Sequence, residues 1–236
     1  MELSIVIPAY NEEKRIKKTI ETILFYLEKH QYSYEILVVN DGSTDKTKEV
    51  VLEFKNRKIK CLDTPRNKGK GYSVKAGILA ATKEWILFTD ADLSTPIEEL
   101  ETFLRYKENA LVIIGSRNLP MSQITVKQPF LRSSLGKIFP LFVRLLLLPK
   151  IYDSQCGFKL YKKEAAKKIV EKQTIDGFCF DAEHLFLAKK LGYVIKEVPV
   201  SWANDERSKV RIVQDSFRMF FDVLKIRWND CMEKYQ

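Results

Sequence analysis

Trp85-Ile86-Leu87-Phe88-Thr89-Asp90-Ala91-Asp92-Leu93-Ser94-Thr95-Pro96 is the stretch from which the rest of the 236-residue chain can be read. Its apolar run, Trp85 to Phe88, has the character of a strand buried on both faces, and it delivers two carboxylates, Asp90 and Asp92, where the strand stops. Open α/β sheets bind their ligands at such an edge. Thr95, Pro96 and Glu98 match a Thr-x-x-Glu capping box with proline in the first helical position, which predicts a helix from about Pro96. Two oxygen-rich side chains between a strand end and a helix start suit a hard divalent cation such as Mg²⁺ or Mn²⁺, although Asp and Ser also build turns that hold no metal.

Upstream, Leu3 to Ile7 reads as a strand ended by Pro8, and Ile16, Ile20, Ile23, Leu24 and Leu27 recur at helical spacing. Asn11 is the expected N-cap of that helix, with Glu12 and Glu13 in its first turn. The unit repeats: strand Ile36 to Val39, turn Asn40-Asp41-Gly42-Ser43, helix residues Val50, Val51 and Phe54, a third strand at Ile59 to Leu62, and a helix entered through Gly69 to Gly71. Such alternation predicts an α/β fold with a mostly parallel central sheet flanked by helices. The polar loops then converge on one edge and gather Tyr10, Glu12, Asp41, Asp45, Asp90 and Asp92, carboxylates that repel one another unless a cation sits among them. Asp45 also reads as a simple helix cap.

Downstream, the strand Leu111 to Ile114 ends in Gly115-Ser116-Arg117, where the guanidinium serves either a surface ion pair or phosphate oxygens. From Ser133 to Pro149, Leu135, Ile138, Phe139, Phe142 and Leu146 form one helical stripe beside Lys137 and Arg144, fit either for a membrane interface or for packing on the sheet. Asp153 to Tyr161 is a mixed polar and apolar stretch, followed by a short helix from Lys163. A further helix from Phe180 ends at Gly192, Val194 to Val200 alternates as a strand, and Asn204 to Arg211 is a charged loop suited to a lid. The last helix lines up Val213, Phe217, Phe220, Phe221, Leu224 and Trp228 on one face. With no linker and no internal repeat beyond the strand and helix alternation, residues 1–236 are expected to form a single domain.

Hydrophobic residues make up 45% of the chain, enough for a substantial core. Four cysteines without a Cys-x-x-Cys pair and two distant histidines supply neither a zinc framework nor a disulfide scaffold, in keeping with a reducing, cytoplasmic setting. The net charge of +9 favours polyanionic partners. Nucleic acid is disfavoured, because the basic residues are spread along the chain and form no nucleic-acid motif. Phe139 to Leu148 is the longest greasy run, interrupted by Arg144 and far short of the ~20 residues a spanning helix needs.

Taken in order, Val6-Ile7-Pro8-Ala9-Tyr10-Asn11-Glu12, Val39-Asn40-Asp41-Gly42-Ser43-Thr44-Asp45, Asn67-Lys68-Gly69-Lys70-Gly71, Thr89-Asp90-Ala91-Asp92 and Gly115-Ser116-Arg117 resemble the family 2 glycosyltransferases of the GT-A, Rossmann-like, nucleotide-sugar-binding fold. Asp153 to Leu160, Phe180-Asp181-Ala182-Glu183, Val200-Ser201-Trp202 and Ser208-Lys209 are similar to the branch that glucosylates dolichyl phosphate. Two departures from related patterns are expected: no membrane anchor is anticipated in the chain, and Ser94 stands where related mannosyltransferases place a glutamine.

The resemblance implies inverting, metal-dependent transfer of glucose from UDP-glucose to dolichyl or another polyprenyl phosphate. GDP-mannose as donor is the alternative, and a non-catalytic nucleotide-sugar-binding protein a further one. It also implies that Pro8, Ala9, Tyr10, Glu12, Asp41, Lys70, Asp90 and Ala91 hold the nucleotide sugar and that Asp90 and Asp92 hold Mg²⁺ or Mn²⁺. Arg132, Ser134 and Gln155 would meet the acceptor, and Asp92, Arg117, Asp153, Arg207 and Lys209 would form the catalytic set. Residues 1–118 would then be the donor half and 119–236 the acceptor half, its amphipathic segments lying peripherally on the cytoplasmic face of a membrane. A lipid phosphate is already ionised near neutral pH, so no obligatory catalytic base is expected.

Overall fold

Both faces of strand β4, Trp85–Thr89, are covered, and all five of its residues are buried. Ile86 and Phe88 enter one core with Val6, Leu37, Val74 and Ile78, while Trp85 and Leu87 enter a second with Ile5, Ile20, Ile36 and Ile113. The strand's period of two is thus used on both sides. The computed structural model describes residues 1–126, 139–204 and 212–236, with backbone alone for 212–216.

Six further strands complete the sheet: β1 (Glu2–Ala9), β2 (Ser33–Asn40), β3 (Ile59–Asp63), β5 (Val112–Ser116), β7 (Phe158–Lys162) and β8 (Ile195–Pro199), in the order β3-β2-β1-β4-β7-β5-β8. All neighbours are parallel except β7, which runs antiparallel to β4 and to β5. Strands β6 (Gln123–Val126) and β9 (Ser201–Ala203) pair separately. One face carries α1 (Ile16–Lys29), α2 (Thr47–Leu52) and α4 (Leu100–Leu104); the other carries α3 (Lys70–Ala80), α5 (Lys163–Lys172), α6 (Phe180–Lys190) and α7 (Ile212–Cys231). The mostly parallel, helix-flanked α/β sheet is as expected. Strand β7 is the element the sequence conceals, because Lys159 breaks its apolar pattern and is nevertheless wholly buried.

Two helix starts differ from expectation. No side chain caps the helix after β4: Pro96 takes an extended ψ of 145°, a 3-10 turn follows at Ile97–Glu99, and the Thr95 hydroxyl lies 3.8 Å from Cys156 Sγ. Helix α1 begins at Ile16, with no acidic residue in its first turn. Asn11 instead adopts a left-handed φ of 56° and ties the first loop to the second, its Oδ1 accepting from the Thr44 amide at 2.8 Å and its own amide donating to Ser43 Oγ at 2.9 Å. Short polar side chains tolerate that backbone region better than most.

From Phe217 on, the apolar stripe of α7 faces outward. Phe217, Phe221 and Trp228 are each about two-thirds exposed, whereas Val223, Ile226 and Asn229 form the buried side. Residues 139–146 are helical, with Leu141 and Leu145 exposed and Phe142 stacked on Phe220 at 4.0 Å between ring centroids. The earlier part of that amphipathic stretch lies outside the described residues. Helix α7 and the turn that follows it are tied down by polar contacts: Asn229 Nδ2 donates to Thr174 Oγ1, and the Tyr235 hydroxyl donates to Glu183 Oε1. Glu183, wholly buried, also accepts from the Thr174 hydroxyl and from the Thr174 and Ile175 amides. Among the described residues, no helix is long and apolar enough to cross a membrane.

Candidate active site

The loops after β1, β2, β3 and β4 meet at the carboxyl edge of the parallel strands. Pro8 and Ala9 end β1, Tyr10 is exposed beyond them, and Glu12 is buried against the Arg15 guanidinium. Asp41, also buried, turns both oxygens toward the loop before α3: Oδ1 accepts from the Lys68 amide at 2.9 Å and Oδ2 from the Gly69 amide at 2.8 Å. Gly69 has a φ of 113°, and a Cβ there would stand 2.3 Å from the Asp176 carbonyl oxygen, so glycine alone allows this entry into α3. The helix that follows starts with Lys70, whose Nζ reaches Asp90 Oδ1 at 2.7 Å.

Asp90 to Ser94 forms a tight turn. The Leu93 amide donates to the Asp90 carbonyl, Asp92 Oδ1 accepts from the Ser94 amide at 2.9 Å, and Leu93 is held at a φ of 47°. Left-handed backbone at a bulky residue costs about 1–3 kcal/mol and persists where the surroundings over-determine it. Ala91 is buried in the same turn, and its carbonyl accepts from the Thr19 hydroxyl of α1. Burial, reinforced by the negative charge of Asp90, raises the Asp92 carboxyl above the ordinary carboxylate range. The expected crowd of carboxylates is otherwise dispersed. Glu12 is paired with Arg15, Asp41 holds the loop amides, and Asp45 accepts from the Thr47 amide as a local cap.

On the second half of the edge, Arg117 follows β5 and grips Asp153 with a two-pronged contact, Nε to Oδ2 at 2.7 Å and Nη2 to Oδ1 at 2.9 Å. Asp153 is fully buried. Burial alone raises its carboxyl, but the Arg117 charge and hydrogen bonds outweigh that and hold it below the usual range. The Arg117 amide and the Gln155 amide add to the same carboxylate, and the Asp153 amide donates to Glu197. Trp202 lies over the guanidinium at 5.4 Å. Gln155 Nε2 is buried with no acceptor among the described residues.

The structure thus brings Lys70, Asp90 and Asp92 to one turn and joins Arg117, Asp153 and Gln155 in a second group. Asp90 links the two, its amide donating to the Gly157 carbonyl at 3.2 Å. Arg132, Ser134, Arg207 and Lys209 lie outside the described residues. Sequence reasoning did not assign roles to Trp202, Glu197 or the buried pair Lys159 and Asp181. Trp202, Lys159 and Asp181 stand in stretches quoted above, and the signal available was a charged or aromatic residue inside an otherwise apolar run.

Asp90 and Asp92 offer hard oxygen donors, and the mutual repulsion felt at Asp92 is what a cation relieves, so these residues fit Mg²⁺ or Mn²⁺. Among the described residues, no three His, Cys, Asp or Glu side chains converge as a ligand set. An ion here would complete its shell with ligand oxygens and water.

Comparison with known proteins gives a consistent picture. The family model described as glycosyl transferase family 2 matches residues 4–170. A dolichyl-phosphate beta-glucosyltransferase of Trichomonas vaginalis is 37% identical over 238 residues, covering 95% of this chain and 72% of its own. The proteins of that name from Mus musculus and Saccharomyces cerevisiae are 36% and 32% identical, the alignments covering 96% and 95% of this chain and 75% and 74% of theirs. Among solved structures, glucosyl-3-phosphoglycerate synthase from Mycobacterium tuberculosis, in complex with Mn²⁺, UDP and glucosyl-3-phosphoglycerate, matches with a TM-score of 0.72 at 16% identity, covering 96% of this chain and 80% of its own. At that identity the likeness is one of fold.

Proposed function

The chain belongs to glycosyl transferase family 2 and is a glycosyltransferase of the GT-A fold, and from that premise we propose that it transfers glucose from UDP-glucose to dolichyl or another polyprenyl phosphate with inversion. The observation that carries the reading is the pairing of the Asp90 and Asp92 turn with the Arg117 and Asp153 group across one sheet edge, in a chain whose relatives bear the glucosyltransferase name. The donor assignment to UDP-glucose rather than GDP-mannose draws on those names and on the UDP held by the structural neighbour.

In this reading, residues 1–118 form the donor half and 119–236 the acceptor half. Pro8, Ala9, Tyr10, Glu12 and Asp41 line the nucleotide end, and Lys70, Asp90 and Ala91 face the diphosphate and sugar. Asp90 and Asp92 would hold a divalent cation, which when bound would supply Lewis-acid stabilisation of the negative charge on the departing diphosphate. Arg117 is preorganised: Asp153 fixes its fork and Trp202 covers it, so it presents positive charge without reorganising during the reaction. An acceptor phosphate oxygen attacks the anomeric carbon as the bond to the diphosphate breaks. The phosphate brings its own negative charge, so no side chain has to remove a proton. Gln155 Nε2 supplies a donor for the acceptor, and Arg132, Ser134, Arg207 and Lys209 are assigned to the same work.

A lipid acceptor also calls for a surface that meets the bilayer. The outward stripe of α7 with Leu141 and Leu145 suits that role, flanked by the exposed Arg218, Lys225 and Arg227. Contiguous exposed aromatics bordered by basic residues are characteristic of interfacial helices that bind anionic bilayers. We assign the chain to the cytoplasmic face of a membrane on this basis.

The test is transfer of label from UDP-glucose and from GDP-mannose to a short polyprenyl phosphate, with Mn²⁺ binding followed calorimetrically in the presence of UDP. Asp92→Asn is expected to abolish Mn²⁺ binding and to lower turnover by about 10²–10³-fold, the scale seen when one electrostatic stabiliser is lost. Transfer from GDP-mannose alone would overturn the donor, and full activity in Asp92→Asn would overturn the site.

A further inference from the structure

Lys159 and Asp181 take no part in the scheme above, although both stand in stretches that carry the family resemblance. Lys159 is wholly buried, Asp181 nearly so, and the two form an ion pair. A buried ion pair is weak evidence for stability, because apolar residues of similar volume often replace it at no cost. Its position suggests another use.

The antiparallel register of β7 sets Lys159 directly opposite Phe88, two residues before Asp90. Lys159 Nζ stands 5.7 Å from the centre of the Phe88 ring and Lys70 Nζ 5.3 Å from it, so two ammonium groups share one ring beneath the carboxylate turn. Asp181 comes from the first turn of α6, where the helix dipole favours a carboxylate, and its neighbour Phe180 packs edge-on against Phe88. Its charge acts on Lys159, Lys70 and Arg117. Lys159 Nζ makes a second bond, 2.6 Å to the Cys156 carbonyl. That bond braces the loop in which Gly157 sits so close to Asp90 that a Cβ would come within 2.0 Å of Asp90 Oδ2.

We infer that Asp181 is a positioning residue for the transfer reaction: through Lys159 it fixes the Cys156 and Gly157 backbone against Asp90, and by its charge it gives Lys70 a second anion to face when the donor engages Asp90. The inference rests on the donor site proposed above. Asp181 touches neither substrate nor cation in this scheme; it sets where Lys70 and Asp90 stand.

The discriminating experiment is the double substitution Lys159→Met with Asp181→Leu, made beside Asp181→Asn in the otherwise intact chain. Nucleotide affinity is measured by calorimetry on whichever of UDP or GDP the wild type binds, so an error in the donor assignment leaves the test intact. Both variants are expected to bind that nucleotide about tenfold more weakly and to lose a similar factor in kcat, as supporting partners of site residues do, with KM for polyprenyl phosphate unchanged. The double variant should keep the wild-type melting temperature. Wild-type affinity and kcat in a folded double variant would overturn the inference and leave the pair purely structural. Should the double variant not fold, Asp181→Asn decides by the same readings. A wild type that binds neither nucleotide would count against the proposed function, and the inference would fall with it.

Discussion

Helices α1 and α7 carry the same kind of apolar stripe and put it to opposite uses. In α1, Ile16, Ile20, Ile23 and Leu27 are completely buried under the sheet, and in α7, Phe217, Phe221 and Trp228 stand mostly in solvent. The inner side of α7 is narrow and partly polar, with Val223 and Ile226 beside an Asn229 bonded to Thr174. Periodicity therefore locates a stripe without saying what covers it. The composition of α7 does add a hint, since its stripe is built of phenylalanine and tryptophan rather than the isoleucine of α1. Aromatic rings of that kind suit a water-to-lipid boundary, whereas branched aliphatics pack well against strands.

That contrast can be broken by mutation. Ile20→Ala, in the covered stripe, is expected to cost about 2–5 kcal/mol in chemical denaturation, because it removes a buried side chain and leaves a cavity. Glu183→Gln attacks the polar anchor of α7 and should cost about 1–3 kcal/mol, the penalty for leaving buried partners unsatisfied; a change near zero would mean that the C-terminal contacts carry no weight. The smallest effect on stability belongs to Phe217→Ser with Phe221→Ser, within about 0.5 kcal/mol of wild type for substitutions in solvent. Sedimentation with anionic vesicles should nevertheless fall by at least about tenfold, as each ring withdrawn from the interface gives up roughly 1.5–3 kcal/mol. Undiminished vesicle binding in that variant would move the membrane contact elsewhere.

Much of the fold was legible because strands β1, β2 and β4 each contain an apolar run, Ile5 to Ile7, Ile36 to Val39 and Trp85 to Phe88, and the turns after them are rich in Asn, Asp and Gly. The carboxylate turn could be placed from the end of β4 alone. Helix starts were harder to read. Thr95 and Glu98 have the spacing of a capping box, yet Pro96 stays extended and the Thr95 hydroxyl turns to Cys156, a partner 61 positions away. Asn11 likewise serves a neighbouring loop rather than its own helix. Local motifs lost there to tertiary contacts that no window of sequence contains. Lys159 misled in the same way: a buried lysine reads as a surface residue until Asp181, from another helix, is placed beside it. For Asp41 the residue was identified, but not that both of its oxygens are already engaged by the Lys68 and Gly69 amides.

The antiparallel placement of β7 has a consequence for the newborn chain. Strand β4 finds its outer partner only when β7 emerges, about 70 residues later, and β5 pairs with nothing earlier than β7. At ~5–20 residues per second of synthesis, that interval lasts roughly 4–14 s. Strands β1 to β4 can assemble in the meantime, but the outer edge of β4 is then an unpaired row of amides and carbonyls on a strand whose first four residues are apolar, the kind of edge that recruits other chains. The strand that closes the sheet therefore also fixes how long a ribosome-bound chain stays open to aggregation and in need of a chaperone.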